Sequence, residues 1–234
     1  MRRAAARTFP ASPAHQAATG LVKLGLALRH HAWKEGKGEG LTPTQGQLLS
    51  SLMLQEDPRR RTPGQLSREL ALSPATVTEA LNALEAKGLV VRRVVQEDRR
   101  SVRIDLTEQG LSAARDATGW ADFLAAAVGS LPPADQVALV RVLIHIIRTL
   151  QQRGQIPVAR MCVNCRFFRP YAHPDPQRPH HCDYVDAPFG DAGLRLDCPE
   201  HQPAAADMES LLWQRWAGQA YGAAPSKAQG GSVS

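Results

Sequence analysis

The stretch from Arg61 to Gly110 constrains the fold more than any other part of the chain, because each of its junctions carries its own chemical signal. Thr62, Pro63 and Gln65 form a capping-box start: a hydroxyl cap, a proline at the first helical position, and a glutamine at the third. This predicts a helix to about Leu70 that buries Leu66 and Leu70. Ala71-Leu72 make a turn, and Ser73-Pro74 cap and open a second helix. Three- and four-residue spacing then puts Val77, Ala80 or Leu81, and Leu84 on one face. The small or polar Ala75, Thr76, Thr78, Glu79 and Asn82 fall on the other, and Gly88 closes the helix as a C-terminal cap. Two runs rich in Val and Ile follow, Leu89–Gln96 and Ser101–Leu106, joined through Glu97-Asp98-Arg99-Arg100. In the second run Val102, Ile104 and Leu106 alternate with Arg103 and Asp105, the period of a half-buried strand. Thr107 caps a further helix. Helix, turn, helix and charged hairpin make a winged helix-turn-helix. Its second helix suits a DNA major groove. Its arginine-bearing tip can reach a minor groove, where a narrow width concentrates negative potential.

Residues 41–110 resemble the DNA-binding core of the MarR family of bacterial transcription regulators. The resemblance is carried by Leu41-Thr42-Pro43, by Leu84-Glu85-Ala86-Lys87-Gly88-Leu89-Val90, by Asp98-Arg99-Arg100 at the wing, and by Leu106-Thr107 with Gly110. It implies a symmetric homodimer built from the first and last helices, a repressor bound to a pseudo-palindromic operator in double-stranded DNA. It also implies that Asp98 and Arg100 hold and present the wing, with Thr76, Thr78, Glu79 and Asn82 facing the groove. The candidate DNA-binding set is therefore Ser73, Ala75, Thr76, Thr78, Glu79 and Asn82 on the helix, with Arg92, Arg93, Asp98, Arg99 and Arg100 in the wing. One departure stands out: the recognition helix carries no Arg or Lys before Lys87, which argues against bidentate guanine readout. Asn82 can address adenine, Glu79 can accept from cytosine, and the threonines can touch thymine methyls. The alternative for Glu79 is simple repulsion of phosphate. MarR relatives often bind a small aromatic effector between the dimer helices and the reading heads, so a small-molecule effector is a further expectation.

Charge agrees with a polyanion partner. The 234-residue chain has a net charge of +6, and Arg59-Arg60-Arg61, Arg68, Arg92-Arg93 and Arg99-Arg100-Arg103 gather around the proposed DNA face. Met1–Pro13 lacks an apolar core segment and reads as a disordered arm rather than a leader. Val137–Leu150 is interrupted by Arg141, His145 and Arg148 and is too short to span a bilayer. A soluble, cytoplasmic protein with no membrane partner is the expectation. No nucleophile–base constellation or phosphate-binding glycine loop points to an enzyme. A helix over His15–Lys34, with Leu21, Leu24, Ala27, Leu28 and Ala32 on one side, is expected to dissolve into a Gly36–Gly40 loop. A second long helix, Pro132–Arg153, is apolar over so much of its circumference that it must be covered on two sides, one of them by dimerisation. His145 on it reads as an interface histidine, with a pH sensor or ligand as the alternative. The domain reading is residues 14–155 for the winged-helix dimer unit, 156–202 for a cysteine-rich segment, 203–221 for a terminal helix, and 222–234 for a disordered tail.

All four cysteines lie in that third segment, at Cys162, Cys165, Cys182 and Cys198, spaced C-x2-C-x16-C-x15-C. Cysteines confined to one short, proline-rich part of a cytosolic chain suit metal better than disulfides. The segment is expected to need that metal for its folding energy, being too small for a core of its own. Four thiolates suit an iron–sulfur cluster or tetrahedral zinc. Zinc ribbons usually offer two close pairs, and here only Cys162 and Cys165 are paired. Cys162-x-x-Cys165-Arg166-Phe167-Phe168 is similar to the opening of the motif of high-potential iron–sulfur proteins, and Cys198-Pro199 fits cluster ligation. The cluster is therefore placed first and zinc second, ahead of a thiol switch at Cys162-Cys165. His173, His180, His181 and His201 are read as supporting or exposed residues, with a Cys3His zinc site as the alternative. The terminal helix carries Met208, Leu212, Trp213 and Trp216, which dock it on the body or a partner subunit, or shield a cluster. The fold expectation is thus mainly α with a small β-wing, plus a loop-rich metal-binding C-terminal segment. The function expectation is a regulator whose DNA affinity the cysteine site modulates. Two alternatives remain: an electron-transfer protein that uses the winged helix for docking, and an effector-sensing regulator with a purely structural zinc.

Overall fold

A computed structural model describes residues 12–55, 61–94 and 102–220. The expectations for Arg59-Arg60, for the wing tip Asp98-Arg99-Arg100 and for the tail 222–234 lie outside the described residues. The chain divides into two units, one from residues up to Leu66 with Ser73–Ala127, the other from Ser67–Leu72 and the chain from Val128 onward.

The first unit runs α1 (Pro13–Glu39), α2 (Pro43–Leu54), α3 (Pro63–Glu69), α4 (Pro74–Ala86), a hairpin of β1 (Val90–Val94) and β2 (Val102–Leu106), and α5 (Glu108–Thr118). Local chemistry sets each start. The Thr42 hydroxyl accepts from Gln45 N–H at 3.2 Å while Gln45 Oε1 accepts from Thr42 N–H at 3.1 Å, a complete capping box. Ser73 and Thr107 cap α4 and α5 through Thr76 N–H and Gly110 N–H. In α4, Val77, Leu81 and Leu84 have no exposed surface. At about 1.5–3 kcal/mol for each buried aliphatic side chain, that burial outweighs the few tenths of a kcal/mol lost at each Thr, Val or Asn in a helix. The same core takes Leu48, Leu49 and Leu52 from α2, Leu66 from α3, Ile104 from β2 and Ala114 from α5. The hairpin is antiparallel, with Val90 opposite Leu106 and Val94 opposite Val102.

Three local expectations differ from the structure. The helix α3 ends at Glu69 and Leu70 is only half-buried, because Ala71 adopts φ 52° in the turn and Ser67 Oγ donates to Leu72 O at 2.6 Å. Helix α1 begins at Pro13 behind the Ser12 cap, inside the stretch read as an arm. It also continues to Glu39, through the glycines expected to form a loop. Gly36 is a notch rather than a breaker, and Gly40, at φ 66°, is what ends the helix. A Cβ on Gly36 would meet Leu41 O at 2.6 Å, and one on Gly46 would lie 2.2 Å from the ring of the buried Trp120. Along α1 only Ala32 and Gly36 are buried, while Leu21, Val22, Leu24, Leu26 and Trp33 are exposed.

After α6 (Asp122–Gly129), the second unit consists of α7 (Pro133–Gln152), a small antiparallel sheet in the order β3 (Phe168–Arg169), β4 (His180–Cys182), β5 (Ala187–Phe189), and α8 (Ala206–Ala220). Phe168 pairs with Cys182 and Cys182 with Ala187. The cysteine-rich segment shares an apolar core with the two helices that flank it in sequence. Met161, Val163, Cys165, Phe168 and Leu194 pack with Ile144 of α7 and Trp216 of α8. The wide apolar circumference of α7 is what makes this possible, since one flank covers the segment. Arg148 is not a break in the apolar run: it is 4% exposed, paired with Glu209 at 2.6 Å and stacked 4.7 Å above the Trp213 ring. Among the described residues, no helix is long and apolar enough to cross a membrane.

Candidate functional site

The outer face of α4 is built as the spacing predicted. Ser73, Ala75, Thr76, Thr78, Glu79 and Asn82 are all exposed, back to back with the buried Val77, Ala80, Leu81 and Leu84. Several of their polar atoms are already engaged. The Ser73 and Thr76 hydroxyls lie 2.8 Å apart within the cap, and Thr78 Oγ1 donates to Pro74 O at 2.8 Å. What the threonines have left to offer is chiefly their methyl groups. Arg92 reaches back from β1, donating to Asn82 Oδ1 at 2.7 Å and pairing with Glu85 at 2.5 Å. Asn82 thus presents its amide N–H2, and Arg92 braces strand to helix. Arg93 pairs with Asp105 at 3.0 Å. Asp105 also takes Arg103 at 2.9 Å and lies 4.0 Å from Arg61. Sequence reasoning missed this gathering point. Its signal was an acidic residue alternating into a strand whose neighbours are arginines. One carboxylate among three guanidiniums orients them while leaving the wing root net positive.

The second site is a cavity of about 170 Å³ lined by all four cysteines together with Phe167, Phe168, Phe189, Arg195 and Glu200. Cys162 belongs to a tight turn over Cys162–Asn164, Cys165 follows it, and Cys182 ends β4. Cys198 is held from behind, its N–H donating to Arg160 O at 2.9 Å. All four are free thiols. Burial pushes the Cys162 thiol up to about 11, against a bond from the Arg195 N–H. Burial and a bond to Glu200 also raise Cys198. A metal would therefore displace protons on binding. Among the described residues, no three His, Cys, Asp or Glu side chains converge closely enough to hold a single ion.

The histidines face other partners. His173 Nε2 lies 3.2 Å from His181 Nδ1, and His201 Nε2 lies 2.9 Å from Asn164 Oδ1. His180 is fully buried, with Tyr171 N–H donating to its Nδ1 at 3.3 Å and its Nε2 2.9 Å from Asp191 Oδ1. Trp216 Nε1–H donates to the same oxygen at 3.3 Å, and Arg141 lies 3.7 Å from Asp191 Oδ2. Asp191 thereby ties α7, β4 and α8 together. Burial works to raise its pKa, but the bonds from His180 and Trp216 and the Arg141 charge prevail and hold it below the usual carboxylate range. A lowered folded pKa stabilises the fold above the unfolded value of about 3.9, and that contribution is lost as pH falls through the folded value. Asp191→Asn is expected to destabilise the second unit by about 1–3 kcal/mol at neutral pH. The difference from wild type should shrink in urea titrations near pH 3, followed by tryptophan fluorescence.

The region that carries the first of these sites is similar to known proteins. The MarR family profile matches residues 39–101. The regulator PecS of Dickeya dadantii (strain 3937) is 34% identical over 65 residues, which are 28% of this chain and 39% of PecS. YwhA of Bacillus subtilis (strain 168), an uncharacterized HTH-type transcriptional regulator, is 47% identical over 47 residues, 20% of this chain and 34% of its own. The chain thus spans between a third and two fifths of the curated relatives it matches. The crystal structure of transcriptional regulator PA3341 superposes with a TM-score of 0.51 at 25% identity, covering 58% of this chain and 98% of that one. The S. aureus MepR–DNA complex shares the fold, with a TM-score of 0.52 at 21% identity over 57% of this chain and 97% of MepR. Residues 39–101 of this chain are therefore similar to the MarR family of transcriptional regulators, and the unit around them has the winged-helix fold seen in those solved structures.

Proposed function

We propose that the chain is a DNA-binding transcriptional repressor that sits as a homodimer on a pseudo-palindromic operator, with an affinity set by an iron–sulfur cluster in the four-cysteine cavity. The observation that carries the DNA reading is the division of α4 into a fully buried face and an exposed face of Ala75, Thr76, Thr78, Glu79 and Asn82. MepR, which shares the fold, has been crystallised with DNA. The exposed Leu21, Leu24, Leu26 and Trp33 of α1 suit cover by a second copy.

Support for the cluster comes from the donor set and the space between the donors. Zinc takes four sulfurs at about 2.3 Å from one point, and no such convergence exists among the described residues. Four thiols spread around a 170 Å³ cavity with phenylalanine walls suit a larger, polynuclear group. Cys162, Cys165, Cys182 and Cys198 would hold it, and when bound it would supply a one-electron redox centre. Phe168 and Phe189 line the cavity with apolar rings, and the Arg195 N–H bonds Cys162 Sγ at 3.3 Å. Ile144 of α7 shares a core with Cys165 and Phe168, so a change in the cavity bears on that helix. Family resemblance makes α7 a dimer helix, and a coupling of about 1–3 kcal/mol would alter operator affinity roughly 5- to 150-fold.

The test is operator selection from a random duplex library with anaerobically purified protein, with iron, zinc and absorption measured on the same sample. Enrichment of a palindrome by a brown, iron-containing protein is the expected result. No enrichment would remove the regulator reading, and a colourless protein with one zinc per chain would replace the cluster with a structural metal. Glu79→Gln removes a negative charge from the reading face. It is expected to bind non-specific duplex severalfold more tightly in fluorescence anisotropy at physiological salt, since phosphate attraction dominates that mode.

A further inference from the structure

One corner of the cysteine cavity carries two opposite charges on a single sulfur. Arg195 Nη1 lies 3.7 Å from Cys198 Sγ and 3.2 Å from Glu200 Oε2, and that same Glu200 oxygen lies 3.2 Å from Cys198 Sγ. Among the described residues, no comparable pair of side chains flanks Cys162, Cys165 or Cys182; Cys162 Sγ accepts a backbone N–H instead, from Arg195 itself. The Arg195 main chain is locked in place, because Cys162 N–H donates back to Arg195 O at 3.1 Å. Its guanidinium therefore hangs from a fixed point at the cavity rim, where its side chain is 54% exposed and that of Glu200 25%. In the free thiol, Cys198 S–H donates to Glu200. Once Cys198 is a ligand thiolate that proton is gone, and the carboxylate is left facing a like charge with Arg195 as the donor for both.

Resting on the cluster reading above, we propose that Arg195 and Glu200 set the reduction potential of the cysteine site through Cys198, and that they act with opposite sign. Reduction adds one electron from a one-electron donor, such as a reduced viologen. No bond is formed or broken and no proton moves. The site gains one negative charge, which a cation at hydrogen-bond distance from a ligand sulfur stabilises and an anion disfavours. Arg195 favours the reduced form, and Glu200 offsets it. Because both groups are partly solvated, the effect weakens as salt rises. The pair makes the potential depend on anything that draws the rim guanidinium away from Cys198.

The experiment uses the full chain, purified without air, in potentiometric titrations with viologen mediators read from the visible absorbance of the cluster. R195Q keeps the backbone bond to Cys162 and removes the guanidinium charge together with its contacts to Cys198 and Glu200. It is expected to shift the reduced-to-oxidised ratio at fixed potential about tenfold toward oxidised, a midpoint lower by about 59 mV for one electron. E200Q should shift the ratio the other way, R195K should stay near wild type, and the double variant should return toward it. A purely structural role would move R195Q and E200Q in the same direction or leave both unmoved, and either result overturns the inference. If R195Q fails to retain iron, E200Q alone decides: a raised midpoint upholds the inference, and an unmoved or lowered one overturns it. A wild-type chain without iron overturns the cluster reading and this inference together; iron-loaded variants without opposed shifts overturn this inference alone.

Discussion

Gly110→Ala is expected to cripple the winged-helix unit. A Cβ at this position would lie 1.8 Å from Leu89 O and 2.8 Å from Leu89 C. Those atoms belong to the main chain leading into β1 and cannot swing aside as a side chain does. Leu89 O is also pinned, accepting from Thr107 N–H at 3.1 Å and from Thr107 Oγ1 at 3.2 Å. Relief requires α5 to move off the hairpin and lose both bonds, so the cost should reach about 3 kcal/mol or more, the upper end for overpacking. That is a large share of the roughly 5–15 kcal/mol that holds a domain together. The measurement is urea unfolding followed by circular dichroism. The control is Gly64→Ala, a helical position with nothing within 4 Å of a new Cβ, where a gain of about 0.4–1 kcal/mol is expected. If Gly110→Ala proved as stable as Gly64→Ala, the close packing of α5 on Leu89 would be wrong.

Trp216→Ala is expected to have the corresponding effect on the second unit. Trp216 has no exposed surface and sits in the core with Ile144, Phe168 and Leu194. Truncation should cost about 3–5 kcal/mol through lost burial and the space left behind. It also removes a hydrogen bond to Asp191, which would keep His180 and Arg141. Trp216→Phe separates the two effects, since it retains most of the apolar bulk and should cost about 1–2 kcal/mol, the share of the bond and a small void. Differential scanning calorimetry on both variants reads the contrast. Equal losses would mean that the indole N–H, rather than packing, holds α8 in place.

Much of the winged-helix unit is legible in the sequence, because its signals are local. A hydroxyl followed by proline or glutamine at the right offset satisfies the first free N–H groups of a helix whatever surrounds it. This is why the starts at Thr42, Ser73 and Thr107 appear where the residues place them. The three- and four-residue spacing of Val77, Ala80, Leu81 and Leu84 likewise assigns one face to the core and leaves the other to solvent. The cysteine spacing marks a candidate ligand-bearing segment in the same way, from composition and order alone.

The failed expectation at Gly36–Gly40 and the roles the sequence did not show concern residues whose role depends on partners distant in the chain. Gly36 and Gly38 carry the local signal of a loop, yet α1 continues through them because Gly36 and Gly46 admit the Trp120 ring. Arg148 looks like an interruption of an apolar run until Glu209 and Trp213, some sixty residues later, neutralise and cover it. Asp105 gathers three arginines that no periodicity links. Capping and periodicity, acting within a turn or two of backbone, were enough to determine the starts of α2, α4 and α5, the hairpin and the exposed face of α4. Which side chains end up sharing a cavity, a charge or a core was decided only by tertiary packing, because burial and Coulomb energies depend on distances in space that sequence separation does not encode.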